Sequence, residues 1–113
     1  MEIRAVAKNI PRSPQKTRLV ADAVRGRTVN EALAILSLMP QSAARDVYKV
    51  VKSAAASAEN NYELDINQLY LYRIYVDEGR TLKRHRARSY GRAAPRLRRF
   101  SHITAVVQEK GAE

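Results

Sequence analysis

The sequence predicts an α+β chain: three helical segments, three strand segments, and a long hairpin formed by continuing the last two strands. Three observations predict it. Apolar residues recur at helical spacing between residues 13 and 61, and period-two patterns occupy residues 3–10, 67–77 and 101–108. Between the last two strands, residues 80–99 hold nine arginines and lysines, with no acid from Glu78 to Glu109. The formal net charge of +10 is accordingly uneven: +5 over residues 1–29, −3 over 30–79, +9 over 80–108 and −1 over 109–113.

The first segment, residues 3–10, alternates Ile3, Ala5 and Ala7 with Arg4, Val6 and Lys8, as a half-exposed strand does. Ser13-Pro14 then reads as an N-cap followed by proline at the first helical position, where a missing amide proton is harmless. That helix should run to about Arg25, with Leu19, Val20, Ala23 and Val24 as its apolar stripe and Gly26 as a left-handed cap. Thr28 and Glu31 have capping-box spacing for a second helix, whose Ala32, Leu33, Ile35 and Leu36 face the core before Met39-Pro40 ends it.

A third helix is expected over residues 42–59. Its Ala44, Val47, Val51, Ala54, Ala55 and Ala58 share one side, with Arg45, Lys49 and Lys52 opposite, and Asn60-Asn61 supplies a left-handed ending. Residues 67–77 and 101–108, rich in Leu, Ile, Val, Thr and Tyr, complete the strands.

A structureless twenty-residue loop is uncommon in a compact domain, so the basic run is read as a continuation of both flanking strands. Each arm of about ten residues would reach roughly 33 Å at 3.3 Å per residue. That exceeds the ~13 Å radius of gyration of a 100-residue domain, so the hairpin should protrude. The expected organisation is a single domain over 1–113, with a body at about 1–79 and 100–113 and a basic arm at about 80–99.

So dense a cationic segment repels itself and is marginal as a bare two-stranded arm. A polyanion reverses that balance through counterion release, which points to nucleic acid. Arg outnumbers Lys eight to one in the run. Guanidinium forks match phosphate oxygens or stack on bases, which favours geometric fitting to a folded nucleic acid over diffuse attraction.

Other classes find little support. Zero cysteines exclude a disulfide framework and thiolate metal sites. No apolar stretch approaches eighteen residues, and the start Met1-Glu2-Ile3-Arg4 lacks a signal-peptide pattern, which reads as a cytoplasmic-type chain. His85 and His102 lack the spacing of a metal site or an acid–base pair, so no catalytic residue, metal or cofactor is assigned. His102 is expected to pack or hydrogen-bond at the start of its strand, Asp77-Glu78 to serve a turn or ion pair, and Tyr70, Tyr72 and Tyr75 to pack on the sheet.

Several motifs together carry a family resemblance across nearly the whole chain. They are Ser13-Pro14-Gln15-Lys16, Arg18-Leu19-Val20 and Arg25-Gly26; then Ser53-Ala54-Ala55-Ala56-Ser57-Ala58-Glu59-Asn60-Asn61; then Val76-Asp77-Glu78-Gly79. Lys83-Arg84, Arg88, Gly91-Arg92 and Ser101-His102-Ile103-Thr104 follow in order. The chain resembles the bacterial large-subunit ribosomal protein twenty-two family. It departs from the family's usual pattern at Arg80 and Ala87, where proline is common, and at Pro95, Phe100 and Ala105.

The resemblance implies three helices packed on a three-stranded antiparallel sheet, with a protruding hairpin and a scaffolding role in the large ribosomal subunit rather than an enzymatic one. It implies large-subunit ribosomal RNA as partner, with other large-subunit proteins beside it, including ribosomal protein four at a tunnel constriction. The protein would bind during assembly and reside in the cytoplasm within the ribosome, with no membrane contact and no homo-oligomer. The hairpin tip, Arg86, Ala87, Arg88, Ser89, Tyr90, Gly91 and Arg92, would line the peptide exit tunnel and meet the nascent chain. Gly91 would permit the turn, and Tyr90 would either stack on a base or pack across it.

The residues assigned to ribosomal RNA form two sets. The arm set is Arg80, Lys83, Arg84, His85, Arg86, Arg88, Arg92, Arg96, Arg98 and Arg99. The body set is Arg4, Lys8, Arg12, Ser13, Lys16, Arg18 and Arg25; Arg27 lies in the same charge cluster, and Ser13 is expected to act first as a helix cap.

Overall fold

The computed structural model describes the backbone of residues 2–87 and 93–109 and the side chains of residues 2–79 and 99–109. The elements are strand β1 (Glu2–Ile10), helices α1 (Pro14–Val24), α2 (Val29–Leu38) and α3 (Ala43–Tyr62), a 3-10 turn (Ile66–Gln68), and strands β2 (Leu69–Ala87) and β3 (Ala93–Glu109). The strands form one antiparallel sheet in the order β1-β3-β2. The α+β class, the three helices on a three-stranded sheet and the long paired β2–β3 extension all agree with the sequence reading.

The helices cover one face of the sheet, with α1 on β2, α3 across β3 and β1, and α2 against α3. Registered rows such as Ile3–Val107–Leu71 and Ala7–Ile103–Val76 supply the sheet's side of the core. The alanines of α3, Ala44, Ala54, Ala55 and Ala58, are buried, and so is Ala105 in the middle of β3. Small residues on facing layers allow close approach, so this small body fills its core with few large side chains.

The helix ends hold most of the differences from expectation. Thr28 Oγ1 accepts from the Glu31 amide as the capping box requires. Ser13 occupies the N-cap of α1, yet its side chain makes no capping bond; its carbonyl accepts from both the amide and the hydroxyl of Thr17. Gly26 takes the left-handed conformation, φ +81°, and its amide donates to Leu71 O at 3.0 Å. α3 runs past Asn60-Asn61 to Tyr62, and Glu63 adopts the left-handed geometry instead, with φ 55°. Leu64 N then closes the helix on Ala58 O, so the Asn pair remains within the last helical turn. Residues 66–68, which overlap the start of the expected strand, form the 3-10 turn, capped by Asp65.

The stripe of α1 is also rotated. Pro14, Thr17, Val20, Ala21 and Val24 are buried, whereas Leu19 is 68% exposed and Ala23 faces solvent. This setting buries Thr17, Val20, Ala21 and Val24 and brings Arg18 and Arg25, seven residues apart on one helix face, over the carbonyls of β2.

Candidate nucleic-acid interface

The arm is a continuation of the sheet. Beyond the body, β2 and β3 stay paired from Thr81↔Arg99 to Ala87↔Ala93. The molecule measures 62 × 24 × 21 Å with a radius of gyration of 17.0 Å, against ~13 Å for a compact 100-residue domain. β3 is the central strand, held by β1 on one side and β2 on the other, with Ile103, Ala105 and Val107 fully buried. The arm is thus cantilevered from the best-anchored element of the body.

Where arm meets body, the register shifts between Glu78↔Ser101 and Thr81↔Arg99, so Gly79 and Arg80 oppose Phe100 alone. Such a two-against-one bulge bends a strand and increases its twist. Gly79 sits close against the central strand: a Cβ there would lie 3.1 Å from Phe100 O and 3.2 Å from His102 Cε1, so a larger residue makes these neighbours give by a few tenths of an ångström. Backbone on the central strand cannot withdraw cheaply, so Gly79→Val should destabilise the protein by about 1–3 kcal/mol. Urea denaturation measures this, and a variant as stable as the wild type would show that the bulge relaxes freely.

A second bulge opposes the first across β3. Between Ala7↔Ile103 and Ile10↔Ser101, Lys8 and Asn9 face His102, and Asn9 has φ 58°. The Asn9 amide donates to His102 Nδ1 at 3.1 Å. His102 therefore holds a strained backbone turn, in the hydrogen-bonding role expected for it. Ser101, buried beside it, donates from Oγ to Arg12 O at 2.7 Å.

The structure divides the body's predicted contact residues. Arg18 donates from Nε and Nη2 to Val76 O at 3.1 and 3.0 Å, and Arg25 donates to Ile74 O at 3.3 and 2.8 Å. Arg25 also pairs with Asp22. Arg12 pairs with Asp46 at 3.1 Å, and Arg27 donates to Ala23 O beside Glu31. These four guanidiniums are engaged internally. Arg18 and Arg25 satisfy carbonyls on the outer edge of β2, while Gly26 and Arg27 exchange backbone bonds with Leu71 farther along. An edge strand left bare is a template for unwanted pairing, so this covering protects the sheet.

Arg4, Lys8 and Lys16 are exposed and have no side-chain partner among the described residues, which leaves them available to a ligand. Arg4 and Lys8 lie on β1, and Lys16 lies in the first turn of α1. Arg99 is exposed at the root of the arm. The side chains of Arg80, Lys83, Arg84, His85, Arg86, Arg96 and Arg98 lie outside the described residues, as does the tip segment Arg88, Ser89, Tyr90, Gly91 and Arg92 entirely.

Tyr70 and Tyr72 pack on the sheet as expected, whereas Tyr75 is exposed. The rings of Tyr70 and Tyr72 meet edge to face at 6.0 Å, Tyr70 OH donates to Gln108 Oε1 at 2.6 Å, and the Arg73 guanidinium lies 5.0 Å from the centre of the Tyr72 ring. Among the described residues no group of three His, Cys, Asp or Glu could hold a metal ion. The cations Arg45, Lys49 and Lys52, opposite the apolar side of α3, join neither predicted RNA-binding set. Their one distinguishing signal in the sequence is that a single acid, Asp46, next to Arg45 and three residues before Lys49, lies within four residues of any of them.

A cationic arm on the central strand, with exposed cations at its root and on the body, can follow a folded polyanion, and the described residues hold no constellation for bond chemistry. A family model described as ribosomal protein L22p/L17e matches residues 5–108. The chain is 52% identical over 110 residues to the large ribosomal subunit protein uL22 of Clostridium novyi (strain NT), an alignment covering 97% of this chain and 99% of that relative.

Proposed function

Because the chain belongs to the ribosomal protein L22p/L17e family, we propose that its body docks on large-subunit ribosomal RNA while its arm threads inward to line the nascent-peptide exit tunnel. The protein is a structural, non-enzymatic constituent of the large ribosomal subunit and works within the ribosome, in contact with ribosomal RNA and other ribosomal proteins.

One observation carries the finer reading: a 62 Å molecule whose central strand runs unbroken into a segment of nine cations without an acid. A bare arm of this charge gains little by folding back on its own body, and much by being surrounded with phosphate. Arg80, Lys83, Arg84, His85, Arg86, Arg88, Arg92, Arg96, Arg98 and Arg99 then grip RNA along the arm. Arg4, Lys8 and Lys16 hold the body to the same RNA. Arg12, Arg18 and Arg25 contribute by shaping the surface, and any contact they make uses the donors left over from their internal bonds.

The tip, residues 86–92, reaches the tunnel wall beside ribosomal protein four and meets the nascent peptide. Because an arm enclosed by RNA is hard to insert after that RNA has folded, the protein joins during assembly. The expected result of gradient sedimentation of cell lysate is that the protein travels with the large subunit. A pool found mainly free of ribosomes would overturn the reading. Within subunits, crosslinks from position 90 to the tunnel wall are expected, and crosslinks confined to the outer surface would remove the tunnel assignment alone.

A further inference from the structure

The outward face of α3 carries Arg45, Lys49 and Lys52 at i, i+4 and i+7, all exposed. With Tyr48, Ser53 and Ala56 they line an open hollow of about 490 Å³. Tyr48, one of its lining residues, is half-buried, and Lys52 Nζ stands 5.8 Å from the centre of its ring.

This arrangement works against the helix that bears it. Like charges three and four residues apart repel on a helix surface, and Arg45 lies in the first turn, where the helix dipole disfavours a cation. The nearby acid, Asp46, is engaged by Arg12 at 3.1 Å. None of the three cations forms an ion pair with a described residue, unlike Arg12, Arg25 and Arg27. Three cations that crowd one helix face, with no ion-pair partner among the described residues and only Lys52 resting on a ring, are accounted for by an anion from outside. A ring beneath them supplies an apolar surface on which a ribose or base can rest.

We propose that this face of α3 is a further RNA-binding surface, separate from the arm and from Arg4, Lys8 and Lys16, in which Arg45, Lys49 and Lys52 hold phosphates of one backbone segment over Tyr48. The inference rests on the reading of the chain as a ribosomal RNA-binding protein and adds a surface that reading does not require. Charge sign and the open, shallow shape favour a nucleic-acid backbone over an acidic protein segment, which would need a deeper apolar seat for its side chains.

The test compares the full-length protein with the variant carrying Arg45→Gln, Lys49→Gln and Lys52→Gln, titrating both with transcribed large-subunit ribosomal RNA across a range of potassium chloride. The slope of log affinity against log salt should become shallower by about 2 to 3, at about 0.9 for each phosphate no longer neutralised. The variant should melt no lower than the wild type, since neutralisation removes like-charge repulsion. An unchanged slope in a folded variant overturns the proposal while leaving the function of the arm intact.

A second measurement uses the absence of cysteine from the chain. Ala56→Cys offers a single tether for an iron chelate that generates hydroxyl radicals in assembled subunits, and cleavage of RNA beside the hollow is expected. Cleavage confined to a neighbouring protein overturns the proposal and assigns the hollow to a protein partner. Failure of the wild-type protein to bind the RNA at all would overturn the functional reading together with this one.

Discussion

Replacing residues 80–99 with a two-residue Asn-Gly turn should leave a folded body whose affinity for large-subunit ribosomal RNA is far less sensitive to salt. The closure is geometrically available. Glu78 and Ser101 are paired, and Gly79 lies against the backbone of Phe100, so the two strands already stand side by side where the turn would join them. The described core residues lie at 3–58, 69–76 and 103–107, outside the replaced segment. Nine cations leave with the arm. Each neutralised phosphate adds about 0.9 to the slope, so if half to all of these cations bind phosphate, the log–log salt dependence becomes shallower by about 4 to 8. Filter binding of the wild type and the shortened protein over a range of about 50–200 mM salt measures it. An unaltered slope would place the phosphate-binding groups on the body, and loss of cooperative unfolding would show that the arm supports the core.

Ile103→Ala should destabilise the body by about 2–5 kcal/mol, the range for removing a large aliphatic side chain from a packed core. Ile103 is fully buried on the central strand, registered with Ala7 on one side and Val76 on the other. Small residues nearby, including Ala105 and the alanines of α3, cannot extend to refill the volume vacated. Against a total stability of about 5–15 kcal/mol for a domain, this is a large fraction. At roughly 4–8 °C per kcal/mol for a body of this size, the melting temperature should fall by at least about 8 °C. Urea denaturation with an unchanged m-value would attribute the loss to the native core. A change below about 1 kcal/mol would mean that the sheet packs adequately without the central aliphatic residue.

The two predictions concern one strand. β3 forms the middle of the body's sheet and one side of the arm. A defect at Ile103 therefore loosens the anchor of the RNA-gripping segment, whereas removal of the arm leaves Ile103 and its neighbours in place. Salt dependence of binding and stability of the body should thus separate in the arm replacement and fall together in the core variant.

Much of the fold is legible from local pattern. Proline after Ser13 marks the start of α1, Thr28 and Glu31 mark the start of α2, and the alanine and valine spacing of α3 marks its buried side, because each signal lies within one or two helical turns. Charge segregation is equally plain, since a run of cations without acids needs no fold to be recognised. Leu19 misleads because an apolar residue beside Val20 looks like part of the stripe. Its exposure follows from the angular setting of α1, which buries Thr17, Val20, Ala21 and Val24 and lets Arg18 and Arg25 reach carbonyls 58 and 49 residues away.

Periodicity, charge and motifs along the chain suffice for the three helices, the three strands, the basic arm and the family. Each depends on residues close in sequence or on composition, where these forces act directly. The assembled fold sets the strand order that puts the arm-bearing β3 between β1 and β2, and the bulge at Gly79 and Arg80 where arm joins body. It also selects which cations remain available to RNA. A guanidinium's partner is set by what the fold brings within about 3 Å of it, and no spacing along the chain distinguishes Arg18, bound to Val76 O, from Lys16, two residues earlier and exposed.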